Sequence, residues 1–459
     1  MVLKPPSQPS AGCWKKARKV LEAVALSIGL SACASPSNPP SNLPLTDITA
    51  SARPGSPSAR PGATAVMLAL SGGGSRSAAF GYGVLSALAE QQVPGEAGRT
   101  LADDIAVVAG VSGGGLLAAY LALYGPAGIP AFKRDYLDQD PEASLRTAFT
   151  PDNLLRGYRG GVNDLTGLAD WLDAHLYHGA TLGDLDGMGG PRLLLHATDL
   201  YNRAPFSFDR EGFRTICSDY TRFPLSHAVA ASAAVPVLFA PVVLENFNPV
   251  CPLAQGAPAT PATSSAVLAH LQETQARYAT APDLRYLKLL DGGLVDNLAT
   301  RNLMRSMRGP APAPLPVATA REIRRIIVIV ADASQRIGGD MSTTPDGPGA
   351  LAAITASIDA MIDNSSRDSL DRLEEETRRW RERLIRWRCD APKTRDCDKL
   401  EIAFVKLSLA DIRTPDARAR ILQLHNKLSL KPDDVDFLSG LGRRLLVASL
   451  RQHRIIAAR

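Results

Sequence analysis

Ser112 stands at the centre of Gly110-Val111-Ser112-Gly113-Gly114, a G-x-S-x-G pentapeptide between an apolar run and a helical one. A sharp strand-to-helix turn of this kind thrusts a hydroxyl outward, and bulky residues two places either side would clash; Gly110 and Gly114 fill those places. The chemistry on offer is nucleophilic attack. Serine attacks poorly until a neighbour takes its proton. Asp291, in Leu289-Leu290-Asp291-Gly292-Gly293, is a carboxylate at the end of another apolar run. Active sites of open α/β sheets gather at that edge, so Asp291 reads as an acid–base partner or as a helix cap. A third turn, Leu70-Ser71-Gly72-Gly73-Gly74-Ser75-Arg76-Ser77, places consecutive glycines before a helix. Such a loop exposes a row of N–H groups that binds negative charge, or is simply a tight turn. A nucleotide phosphate fits poorly: GK[ST] is absent, and Ser77 takes the sixth place of G-x-G-x-x-G.

These turns must be held by strands and helices. Strand patterns cover Ala65–Leu70, Asp104–Ala109, Arg192–Ala197, Tyr286–Leu290, Arg325–Ala331 and Ile402–Leu407. Several are apolar on both faces, as in Ile326-Ile327-Val328-Ile329-Val330, which predicts strands covered by helices on both sides. Helices are predicted at Ser77–Glu90, Gly114–Leu123, His227–Ala234 and Asp296–Met307. The pattern is an α/β layered fold. Residues 247–282 read as an insertion with a helical piece at Val267–Tyr278. Leu370, Leu373, Thr377, Trp380, Leu384 and Trp387 mark one face of a long amphipathic helix. Leu445–Ile456 reads as a closing helix.

Order and spacing of the three turns resemble the patatin-like phospholipase family. A fourth block, Ala231-Ser232-Ala233-Ala234-Val235-Pro236, is similar to the family's A-S-x-x-x-P segment, and Asn297 stands where the family often has Asn. Ser77 departs from the family's usual Gly. The resemblance covers roughly Ala65 to Met307 plus the strand near Ile326. It implies a three-layer α/β/α fold with a central, mostly parallel sheet, a Ser112–Asp291 dyad, and an oxyanion hole at Gly72, Gly73 and Gly74. It also implies a lipid acyl hydrolase of phospholipase A or lysophospholipase type, acting through an acyl-serine intermediate. Arg76 braces the loop or meets a lipid phosphate; bracing is the preferred reading.

A dyad requires a carboxylate more basic than an exposed Asp, whose pKa is about 3.9. Burial supplies that, by as much as about 3–5 units. The competing reading is a general esterase or thioesterase with a Ser-His-Asp triad, for which His425 and His453 lie far enough along the chain. A different class again is a catalytically silent envelope lipoprotein. No H-E-x-x-H and no EF-hand loop occurs, and the dyad needs neither metal nor cofactor.

Of 459 residues, 45% are hydrophobic and 21% charged, an ordinary globular balance. No apolar run approaches the ~20 residues of a membrane-spanning helix. The formal charge of +5 is local: Lys4, Lys15, Lys16, Arg18 and Lys19 precede residue 33 against Glu22 alone. The near-neutral remainder carries no footprint for nucleic acid. Residues 15–19 form a basic n-region and Val20–Leu30 a short apolar one interrupted by Glu22, a secretory pattern over residues 1–32. Leu30-Ser31-Ala32-Cys33 resembles the lipobox of bacterial lipoproteins, which implies lipidation at Cys33 and attachment to a membrane surface, with the outer membrane preferred because Ala34 is not Asp. Residues 33–62, rich in Pro and Ser, read as an extended tether. Residues 63–335 form the catalytic domain, and 336–459 a helical region with one strand completing it. Cys217, Cys251, Cys389 and Cys397 allow three pairings. Neighbour pairing closes the shortest loops and is preferred over free thiols.

Overall fold

The computed structural model describes residues 38–46, 61–148, 150–251, 266–334, 345, 349–390, 396–424 and 427–456. Its strands, in chain order, are β1 (Thr64–Leu70), β2 (Ile105–Gly110), β3 (Arg192–Asp199), β4 (Ala204–Ser207), β5 (Val242–Glu245), β6 (Tyr286–Leu290), β7 (Arg325–Asp332) and β8 (Glu401–Ser408). The principal helices are α1 (Gly74–Glu90), α2 (Ser112–Tyr124), α3 (Pro151–Tyr158), α4 (Leu165–Leu172), α5 (Leu225–Ser232), α6 (Ala266–Thr280), α7 (Thr300–Arg308), α8 (Ala350–Cys389), α9 (Pro415–Gln423) and α10 (Pro432–Gln452).

All seven side chains of β1 are buried. A strand of that kind needs cover on both faces, and its alternation divides the cover in two. Val66, Leu68 and Leu70 enter one hydrophobic cluster, with α1, α2 and α10; Ala65, Met67 and Ala69 enter another, with Leu303 of α7 and Leu373, Trp380 and Leu384 of α8. This is the three-layer α/β/α arrangement. The sheet order is β5-β6-β3-β2-β1-β7-β8, with β4 on β3. From β3 through β2, β1 and β7 to β8 every pairing is parallel, whereas β4, β5 and β6 join antiparallel. The three chemistry-bearing turns leave the ends of β1, β2 and β6.

Every expected strand is present; β4 and β5, four residues each, were too short to show a period. Several helices start earlier than their patterns predict, α1 by three residues and α10 by thirteen. Glycines lead directly into α1, and Pro432 at the first helical position with Asp433 and Asp434 behind it opens α10. The Asp296–Met307 helix is interrupted: a single turn ends at Asp296, Ala299 takes φ 55°, and α7 follows. The cysteines pair as neighbours, Cys217–Cys251 and Cys389–Cys397.

Residues 38–46 correct the expectation of an extended tether over 33–62. Ser41 N–H donates to Val243 O of edge strand β5, and Asn42 exchanges bonds with both Glu245 backbone groups, 2.9 and 2.8 Å. Asn38 Nδ2 donates to Ala240 O and Pro241 O, while its Oδ1 accepts from Leu165 N–H. Composition shows that this stretch cannot bury itself. It does not show that asparagine amides can satisfy the open backbone of a sheet edge.

Candidate active site

β2 ends at Gly110 and α2 begins at Ser112, whose φ of 53° lies in the left-handed region. A non-glycine residue held there is uncommon and marks a strained turn. A Cβ at Gly110 would lie 2.6 Å from Gly114 O, and one at Gly114 2.4 Å from Ser71 O. Gly113 is tighter still, its Cβ falling 1.9 Å from Gly74 O. The first turn of α2 therefore rests on the backbone of the glycine loop, a contact no side chain could share.

The acid is held by α5. Asp291 N–H donates to Ala234 O at 2.8 Å and Gly292 N–H to Ser232 O at 3.1 Å, while Thr198 Oγ1 donates to Asp291 O. Ser232 Oγ also accepts from Ser112 N–H at 3.1 Å. The Ala231–Pro236 block thus binds both partners, a role its residue types alone do not announce. The Asp291 carboxylate accepts from Gly293 N–H at 2.8 Å, and the Ser112 hydroxyl lies close enough to favour its charged form. Burial raises its pKa from 3.8 to about 6, against the lowering effect of those two groups. Desolvation of the charged form wins.

The glycine loop divides its labour. Gly72 N–H is consumed, donating to Asn297 O at 2.9 Å. The N–H groups of Gly73 (φ 134°) and Gly74 meet no acceptor among the described residues. They occupy the cap and first turn of α1, where a helix leaves its donors without an internal partner. Gly113, at the start of α2, is in the same position. Asn297 clamps the assembly: a Cβ at Gly72 or Gly293 would meet its Oδ1, and its Nδ2 donates to Ser334 Oγ. Arg76, 3% exposed, donates to Ala333 O at 2.9 Å and Leu424 O at 2.7 Å, so it braces the loop from within. Ser77 Oγ donates to Ser71 O, closing the loop's base. The segment before α10 adds a further brace, Lys427 O accepting from Ser75 N–H at 2.7 Å.

Ser112, Asp291 and the Gly72–Gly74 loop are thus brought together. Cys33 and His425 lie outside the described residues, and His453 is exposed just past α10. His196 is buried beneath the acid's turn, its Nε2 3.3 Å from Gly292 O, away from the carboxylate. A cavity of about 600 Å³ opens at the opposite edge of the sheet, and most of the charges lining it are paired, Arg210 with Asp186 and Arg305 with Asp209. Among the described residues no cluster of three His, Cys, Asp or Glu side chains is placed to hold a metal ion.

The family model described as "Patatin-like phospholipase" matches residues 68–304, more than half of the chain and all three turns. No curated protein matches the sequence. Among solved structures, "Human GIVD cytosolic phospholipase A2" is similar at TM-score 0.38 and 12% identity, with 85% of this chain covered. The chain spans 62% of the length of that protein's chain.

Proposed function

The chain belongs to the patatin-like phospholipase family, and on that premise we propose that it is a membrane-tethered lipid acyl hydrolase of phospholipase A or lysophospholipase type. The single observation that carries this reading is the Ser112 hydroxyl set close enough to a buried Asp291 carboxylate to lower its pKa, beside the open N–H groups of Gly73 and Gly74.

Ser112 Oγ attacks the acyl carbonyl while Asp291 takes its proton. A carboxylate with a pKa near 6 accepts that proton far better than an exposed Asp, yet remains ionised at neutral pH. The oxyanion forms against the N–H groups of Gly73 and Gly74, with Gly113 a third donor at the residue after the nucleophile. Gly72, whose N–H is already committed, shapes the loop. Collapse expels the alcohol, which leaves with the proton from Asp291. Water then attacks the acyl-Ser112 ester, with Asp291 again as base, and the fatty acid departs.

A lipid anchor at Cys33 would hold this site at the cell envelope, at the outer membrane; the basic and apolar N-terminal regions and the four exported-type cysteines support it. A fluorophosphonate probe tests the catalytic part. It labels wild type and fails to label Ser112→Ala; equal labelling of both would overturn the assignment.

A further inference from the structure

Four exposed apolar side chains fall on two neighbouring segments. On α3, Leu154 and Tyr158 are 55% and 90% exposed, one helical turn apart and so on one face. No residue of that helix is buried. Val235 and Val237 are exposed on the loop that leaves α5. The helix and this loop lie side by side, since a Cβ at Gly157, next to Tyr158, would lie 3.5 Å from Val237 Cγ1. Val237 is held at φ 72°, where a β-branched residue is a true outlier, so the loop keeps a valine in a strained, outward position. This segment also braces the acid: Ala234 O, one residue before Val235, accepts from Asp291 N–H.

The 38–46 strap is tied to the same loop. Asn38 binds Ala240 O and Pro241 O, three and four residues past Val237. Five residues separate Asn38 from Cys33, a reach of at most about 18 Å. A free tether over 33–62 would instead let the domain wander on the order of 30 Å in any orientation. Resting on the proposed anchor at Cys33, we infer that Leu154, Tyr158, Val235 and Val237 form a lipid-docking surface, pressed onto the bilayer by the 38–46 strap so that Ser112 opens toward the membrane. Tyrosine at the rim and aliphatic side chains at the centre match the chemistry of a bilayer interface.

The test uses the full-length, envelope-processed chain with an environment-sensitive fluorophore on Tyr158→Cys or, as a control, on Val317→Cys, which is 67% exposed beside the cavity at the far edge of the sheet. Vesicles of diether phosphatidylethanolamine and phosphatidylglycerol contain no ester to cleave, so the shift reads docking and not turnover. The label at 158 shifts to the blue and that at 317 does not; equal shifts, or none at 158, overturn the proposal. Asn38→Ala with Asn42→Ala reduces the shift at 158 at least twofold while the protein still floats with the vesicles. An unchanged shift would show that the strap orients nothing. On ester lipids, Tyr158→Asp lowers the ratio of vesicle to soluble-ester turnover about tenfold, and an unchanged ratio counts against the surface. Absence of any Ser112-dependent hydrolysis would remove the proposed function, while the diether result would still decide the docking surface.

Discussion

Replacing Asp291 by Asn removes the proposed base and, in the same step, a buried charge. Asp291 is 7% exposed, and Gly293 N–H and the Ser112 hydroxyl offset desolvation only in part, since its pKa stands at about 6 against an ordinary 3.8. At 1.36 kcal/mol per pKa unit, that difference amounts to about 3 kcal/mol of native-state destabilisation once the pH exceeds about 6. Between about pH 4 and 6 the native state keeps a proton that the unfolded chain has lost, so stability falls as pH rises through that window. Below it both states are protonated and the penalty vanishes. Asn is neutral at every pH, and its Oδ1 and Nδ2 can still meet Gly293 N–H and Ser112 Oγ. Asp291→Asn is therefore inactive, more stable than wild type by about 2–3 kcal/mol near pH 8, and level with it near pH 4. Urea unfolding across that range, with disulfides intact, measures the gap. A gap that is absent, reversed or independent of pH would refute the claim that burial tunes this carboxylate.

Activity follows the same titration: kcat/KM falls about tenfold per pH unit below about pH 6, because only ionised Asp291 accepts the serine proton, and a profile flat to pH 4 would contradict it. Gly113→Ala drives a Cβ to 1.9 Å from Gly74 O and destabilises by about 3 kcal/mol or more, seen as a lowered Tm and lost labelling by the probe. Arg76→Ala frees the bonds to Ala333 O and Leu424 O; kcat falls about 10–100-fold as the donors lose their alignment, while Ser112 still labels slowly. Cys217→Ser opens a 34-residue loop and costs about 4 kcal/mol in the chain-entropy account, read from the urea midpoint.

Much of the site was legible because its constraints are local. A G-x-S-x-G after an apolar run encodes its own sterics, and the clashes at Gly110 and Gly114 are those the spacing predicts. The parallel strands announce themselves by burial on both faces. What the sequence conceals depends on distant backbone. That Gly72 N–H is taken by Asn297 O follows from the packing of two turns more than 200 residues apart. Arg76 could be argued toward bracing, but its partners Ala333 and Leu424 carry no side-chain signature, since both contribute a carbonyl. Ser232 is hidden for a similar reason: a serine closing a helix announces no partner until its Oγ is seen on Ser112 N–H. The 38–46 strap binds through asparagine amides, which composition counts as mere polarity.

The central claim is that an acyl group passes through Ser112 with Asp291 as base. Acid-quenching the protein during turnover of a defined mixed-chain phospholipid, followed by peptide mass mapping, tests it directly. The expected result is a single acyl chain esterified to the peptide carrying Ser112, lost in Ser112→Ala together with turnover. Hydrolysis that persists in that variant, or an adduct on another residue, would contradict it.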